Sequence, residues 1–201
     1  MAEKPARRSP LSEVYQSGRF GSTRDERPGV TLSQRGPLGI VHLSAPRDEA
    51  AFRARAKESL GLALPVDPNT AVSEDARSVL WQAPGRWFVV AAQKTADPLG
   101  DLSRLCDEVG GAATDLSHGW MGLRIDGPAA RHLLAKGCSL DLRPNVFGAG
   151  RCAQSEYRGI YIFVHVRGNT PRFHLYCQRS LARSLWGWLL DGAAEYGCEV
   201  K

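Results

Sequence analysis

The chain has 201 residues, 43% hydrophobic and 23% charged, which fits one large or two small folded domains and excludes a disordered or fibrous protein. No apolar run approaches the roughly 18 residues that a membrane-spanning helix needs, and the start MAEKPARRSPLSE has no apolar stretch behind its basic residues, so neither a span nor a secretory leader is expected. Residues 1–36 hold seven of the basic side chains against four acids, leaving a near-neutral body, so the net charge of +5 does not argue for a nucleic-acid-binding face; a cytoplasmic location is expected.

Residues 1–36 read as an extended basic arm, rich in Ser, Arg, Gly, Pro and Glu, with no sustained apolar period. Val14, Tyr15 and Phe20 are apolar anchors along it. A tail that only solvates seldom needs anchors, whereas a tail that lies on a partner does; the alternative is a disordered N-terminus. Deleting residues 1–36 is therefore expected to weaken assembly and to leave folding intact.

Residues 37–201 read as a single α+β domain. Leu38 to Leu43 is an apolar run of strand type. Asp48 and Glu49 open a helix whose stripe is Phe52, Ala56 and Leu60, with Gly61 at its end. PVDPNTAVSED reads as a loop. SVLWQAPGRWFVVAA is a hairpin signal around Pro84-Gly85, and its spacing brings Trp81 and Trp87 together across the strands. DPLGDLSRLCDEVGG predicts a second helix with Leu102, Leu105, Cys106 and Val109 on one side, and a strand then runs into WMGLRIDG.

This first half has the order βαββαβ, the ferredoxin-like unit. The second half partly echoes it, with a strand at 120–125, a helix at 128–136, strands near 152–157, 160–166 and 172–177, and a final helix over SLARSLWGWLLDGAAEYG. The expected fold is two intertwined ferredoxin-like βαββαβ-type halves sharing a strand, preceded by the arm. At RIDGPAARHLLAKG, Asp126-Gly127 ends the strand and can cap the helix, Pro128 takes the first helical position, and Gly137 supplies a left-handed stop.

Cys138 follows that stop. A reactive cysteine is favoured at a helix N-terminus or beside cations, and a helix C-terminus disfavours its thiolate, so packing is the expected role. The five cysteines are odd in number and have no C-x-x-C spacing, which argues against a disulfide framework and a zinc site. The five histidines form no H-x-H or H-x-x-x-H pair, although His165 and His174 lie on strands predicted to face each other. Neither a dinucleotide nor a phosphate-loop motif occurs, and Asp115, Asp126 and Asp141 are explained by caps and turns as well as by catalysis. Trp186 and Trp188 are two apart in a helix and cannot share a face, so one of them is available to an interface. Tyr15, Arg19, Phe20 and Trp188 are the candidate partner-contact residues; no catalytic, cofactor-binding or metal-binding residue is expected.

The stretch TDLSHGWMGLRIDGPAARHLLAKGCSLDL, 114–142, resembles the gamma subunit of heterotetrameric sarcosine oxidase, as do QAPGRWFVVA and RSLARSLWGWLLDGAAEYG. The resemblance covers roughly 37–197. It implies a fold similar to the folate-binding domain of the aminomethyltransferase and a structural role without catalysis. It also implies alpha, beta and delta partners, with FAD, FMN and NAD on alpha and beta and zinc on delta. The implied reaction of the complex demethylates sarcosine to glycine, giving hydrogen peroxide and, with tetrahydrofolate, 5,10-methylenetetrahydrofolate. The alternative is a stand-alone folate-binding aminomethyltransferase-like protein. A relative in the superfamily, the folate-dependent iron–sulfur cluster protein, carries K-G-C, an aromatic and then G-Q-E. Here Lys136-Gly137-Cys138 continues as Ser139-Leu140-Asp141, so that cysteine's role does not carry over.

Overall fold

The computed structural model describes residues 8–22, 27–92, 98–168 and 172–201. Twelve strands and four α-helices are seen among them, in two sheets.

The first half runs β3 (Leu38–Ser44), α1 (Glu49–Leu60), β4 (Ala71–Glu74), β5 (Arg77–Ala83), β6 (Arg86–Ala92), α2 (Pro98–Val109) and β7 (Ala112–Asp115), and gives a five-stranded sheet of order β4-β5-β6-β3-β7. The second half runs β8 (Trp120–Asp126), α3 (Ala130–Ala135), β9 (Cys152–Tyr157), β10 (Ile160–Val166), β11 (Arg172–Gln178), α4 (Ala182–Ala193) and β12 (Cys198–Val200). The two halves therefore match element for element in the order βαβββαβ, the expected ferredoxin-like βαββαβ with one strand added between the helices.

One difference separates them. In the small sheet β7 lies directly beside β3, whereas in the large sheet β2 (Val30–Arg35) is inserted between β8 and β12. The full order there is β1-β12-β2-β8-β11-β10-β9, with β1 (Gly18–Phe20) on the edge. The segment expected to be an extended arm, whose deletion was expected to spare folding, supplies an interior strand and an edge strand. Val30 and Leu32 are buried in the core while Thr31 and Ser33 point the other way, the alternation of a half-buried strand.

The strand expected to be shared by both halves is instead two strands. β7 ends at Asp115 in the small sheet, a turn follows in which Ser117 N donates to Asp115 Oδ1 at 2.8 Å, and β8 begins at Trp120 in the large sheet. The predicted loop at 65–75 also gains structure: β4 pairs with β5, Val72 facing Val79, across a tight turn at Asp75, whose φ is 44°.

Three apolar cores stack the elements in four layers. α1 and α2 cover one face of the small sheet through Phe52, Ala56, Leu60, Leu102 and Leu105. α3 and α4 cover the outer face of the large sheet through Leu133, Leu134, Leu185, Trp186 and Leu189. Between the sheets, Leu38, Ile40 and Phe88 meet Phe163 and Tyr176. Fully burying a side chain of this size contributes roughly 1.5–3 kcal/mol.

Local signals act where the sequence placed them. Asp48 caps α1 by accepting from Ala51 N at 3.2 Å, and Gly61 ends it with a left-handed φ of 70°. Trp81 and Trp87 are cross-strand partners. At α3 the outcome differs: the helix starts at Ala130, no side chain caps it, and Asp126 pairs with arginines instead. Gly137 does not take a left-handed conformation. It is required for space, since a Cβ there would lie 2.9 Å from Arg158 Cγ and 3.0 Å from the Tyr157 ring.

Candidate functional site

The N-terminal segment lies on the chain's own body. Leu11 is fully buried, Arg183 Nε donates to Pro10 O at 3.1 Å, and Arg183 Nη2 pairs with Glu13 Oε2 at 2.5 Å. The Tyr15 ring stacks on Trp186, and its hydroxyl accepts from Gln34 N at 3.1 Å while donating to Lys201 O. β1 then pairs antiparallel with β12, Phe20 opposite Cys198. Of the candidate partner-contact residues, Tyr15, Phe20 and, on α4, Trp188 are half-buried against the same core, and Arg19 is exposed. The structure brings all four to the region of α4, β1 and β12.

The thiols are interior groups. All five cysteines are free, and Cys138, Cys152, Cys177 and Cys198 are buried. Burial pushes the Cys152 and Cys177 thiols up to about 12 and Cys198 to about 11. Cys138 Sγ lies 3.5 Å from Ser155 Oγ. No group of three or more His, Cys, Asp or Glu suited to a metal ion occurs among the described residues.

The inner face of the large sheet carries the two buried histidines and a set of charged side chains. Strand register aligns its side chains in rows. Arg35, Gly122, Tyr176 and Phe163 form one row; Ser33, Arg124, His174 and His165 form the next; Thr31, Asp126 and Arg172 form the third. The first row meets the small sheet, and there Arg35 Nη1 donates to the Tyr176 hydroxyl at 2.6 Å. The third row opens to solvent.

His165 and His174 sit side by side, ring centroids 5.7 Å apart, as the facing strands predicted. Both are buried, and the Nδ1 atoms of both are unpartnered in the structure. His165 Nε2 is 3.4 Å from Ser73 Oγ of the small sheet. Burial, reinforced by Arg35 and Arg167, lowers His165 to about 3. Burial, with Arg35 the next cause, lowers His174 to about 2, so both imidazoles are neutral.

In the third row Asp126 is flanked by two arginines, Arg124 from its own strand and Arg172 from β11. These residues line an open cleft of about 650 Å³ with Thr31, Ser33, Gly127, Pro128 and Lys201. Sequence reasoning missed this face. Its signal was present as alternation: Arg124 and Asp126 interleave with Leu123 and Ile125, and Arg172, His174 and Tyr176 interleave with Phe173 and Leu175.

A family model described as the sarcosine oxidase, gamma subunit family matches residues 45–195. The sarcosine oxidase subunit gamma of Corynebacterium sp. (strain P-1) is 27% identical over 194 residues, covering 96% of this chain and 93% of the relative. The subunit of the same name from Arthrobacter sp. is 25% identical over 191 residues, 94% of this chain and 91% of the relative. Among solved structures, a chain of the heterotetrameric sarcosine oxidase from Corynebacterium sp. U-96 in complex with pyrrole 2-carboxylate superposes with a TM-score of 0.80 at 24% identity, over 94% of this chain and 96% of that one. The glycine cleavage system aminomethyltransferase T from Bartonella henselae shares the fold at a TM-score of 0.60 and 16% identity, over 87% of this chain and 48% of that protein.

Proposed function

The chain belongs to the sarcosine oxidase gamma subunit family, and we propose that it serves as the non-catalytic structural subunit of a heterotetrameric sarcosine oxidase in the cytoplasm. In this reading its partners are the alpha, beta and delta subunits. The complex oxidatively demethylates sarcosine to glycine, releasing hydrogen peroxide and, with tetrahydrofolate, 5,10-methylenetetrahydrofolate. FAD, FMN, NAD and zinc reside on the other chains.

The observation that carries the reading is the end-to-end correspondence with gamma subunits, which leaves no large part of the chain to an unrelated task. The sandwich supports it as a rigid body able to present a fixed surface. Arg19 and Trp188 belong to that surface, and Tyr15 and Phe20 seat the segment that carries it. Stable interfaces of this kind bury on the order of 1,200–2,000 Å² in total.

The test is co-expression of the four subunits with an affinity tag on this chain. Recovery of the other three in equal proportion is expected; recovery of this chain alone would refute the reading. The competing reading, a stand-alone folate-binding aminomethyltransferase-like protein, predicts instead that the lone chain binds tetrahydrofolate in a calorimetric titration.

A further inference from the structure

Arg124 and Arg172 converge on one carboxylate. Arg124 Nε donates to Asp126 Oδ2, and Arg172 Nε donates to Asp126 Oδ1 at 3.0 Å. Each arginine spends only its Nε on this contact. The terminal nitrogens of both guanidiniums, the fork that grips carboxylates and phosphates, have no hydrogen-bond partner among the described residues. Both side chains are open to water, 39% and 41% exposed, while Asp126 is 22% exposed. Among the described residues the forks thus face the cleft of about 650 Å³ unpaired, a volume within the range of small-molecule sites.

The charge around the cleft is unbalanced. In it Arg124 and Arg172 stand against the single carboxylate of Asp126, while Lys201 at the rim pairs with Glu199 at 3.3 Å, so the surplus is that of the two arginines. Arg35 and Arg167 act on the same rows, each helping to depress His174 beside Arg124. Like charges gathered in a cleft focus a positive potential that a bound anion relieves. The hydroxyls of Thr31 and Ser33 line the same wall.

We propose that this cleft binds a small oxyanion ligand, a di- or tricarboxylate or a phosphate ester, held by the terminal nitrogens of Arg124 and Arg172, with the exposed Lys201 exchanging its Glu199 partner for the ligand at the rim. Asp126 fixes the spacing of the two forks and leaves their outer edges for the ligand. The inference is independent of the subunit reading, because the lone chain contains the whole site.

The experiment is calorimetric titration of the full-length chain with citrate and, separately, with inorganic phosphate at constant ionic strength. Saturable single-site binding of at least one probe is expected, and the tighter probe assigns the class. The double variant Arg124→Gln/Arg172→Gln should bind about ten- to a hundredfold more weakly, the loss of charge-assisted hydrogen bonds. Lys201→Gln, at the exposed C-terminal residue, should also weaken binding without touching the fold, and Arg143→Gln, paired with Asp141 elsewhere, should leave it unchanged. No saturable heat from either probe, or affinity unaltered in both the double variant and Lys201→Gln, would overturn the proposal. So would loss of anion binding in the assembled complex together with weaker assembly of the double variant, since the cleft would then seat an acidic partner segment.

Discussion

Tyr15 stacks on Trp186, ring centroids 5.0 Å apart and planes inclined by 24°. The contact ties the N-terminal segment to α4, and the Tyr15 hydroxyl ties both to β2 and to the C-terminal residue. Tyr15→Ala should therefore destabilise the protein by about 2–4 kcal/mol, through lost aromatic area and stacking. Tyr15→Phe should cost about 1 kcal/mol, the hydroxyl's bonds alone. Urea unfolding curves measure both; equal stability of the alanine variant and the parent would show that the segment is held elsewhere. Deleting residues 1–36 should abolish cooperative unfolding altogether, because it removes β2 from between β8 and β12.

Gly127 has a φ of 112°, and a Cβ on it would fall 2.4 Å from Gly29 O. The glycine lets the start of α3 press against the backbone that leads into β2, where Ala129 N donates to Gly29 O at 3.0 Å. Gly127→Ala combines a disfavoured backbone with a clash against main chain, which cannot swing aside. A loss of about 2–4 kcal/mol is expected. A chemical-denaturation midpoint within error of the parent would contradict this account of the junction.

The two buried histidines predict an acid limit to stability. Their folded values, about 3 and about 2, lie below the ordinary value near 6.5 that applies when the chain is unfolded. Between those limits the unfolded state holds more protons, so stability is unaffected above pH 6.5 and falls as pH drops below it. Each histidine should account for a loss on the order of 2 kcal/mol between pH 7 and pH 5. His174→Gln removes one titrating group and should shrink the pH 7 to pH 5 difference by that share; an identical difference in parent and variant would mean that the histidine takes up its proton as readily in the folded chain as in the unfolded one.

Cys138→Ser should leave sarcosine turnover of the assembled complex nearly unchanged. The serine hydroxyl inherits a neighbour in Ser155 Oγ, 3.5 Å from the present sulfur, so the cost of burying it should stay near 1 kcal/mol. Steady-state turnover and a thermal melt check the two halves of this statement. A complex that assembles normally and has lost turnover would make Cys138 a participant in the chemistry.

Much of the architecture was legible because its signals are local. The α1 stripe with Asp48 and Gly61, the Pro84-Gly85 hairpin, and the alternating runs of β8, β10 and β11 each state their own structure within about a dozen residues. β1 and β2 were not legible. Val30 and Leu32 give only two inward positions, and the strands that fix them, β8 and β12, lie far along the chain. The split of the expected shared strand into β7 and β8 depends on Ser117, buried and donating back toward Ile40, a tertiary contact. The basic face follows the same rule. Arg124, Asp126, Arg172 and His174 alternate correctly in each strand, but only register places them in adjacent rows. Trp188 shows a further limit: helical spacing separates it from Trp186, yet α4 is packed closely enough that both touch the same core.

The central claim, that this polypeptide contributes surface while reactive groups belong to its partners, is met most directly by assaying the purified chain alone. Its absorption spectrum should lack a flavin band and sarcosine should generate no hydrogen peroxide, whereas adding the chain to the other three subunits should restore an intact tetramer. A flavin retained through purification, or peroxide formed from sarcosine by the isolated chain, would contradict it.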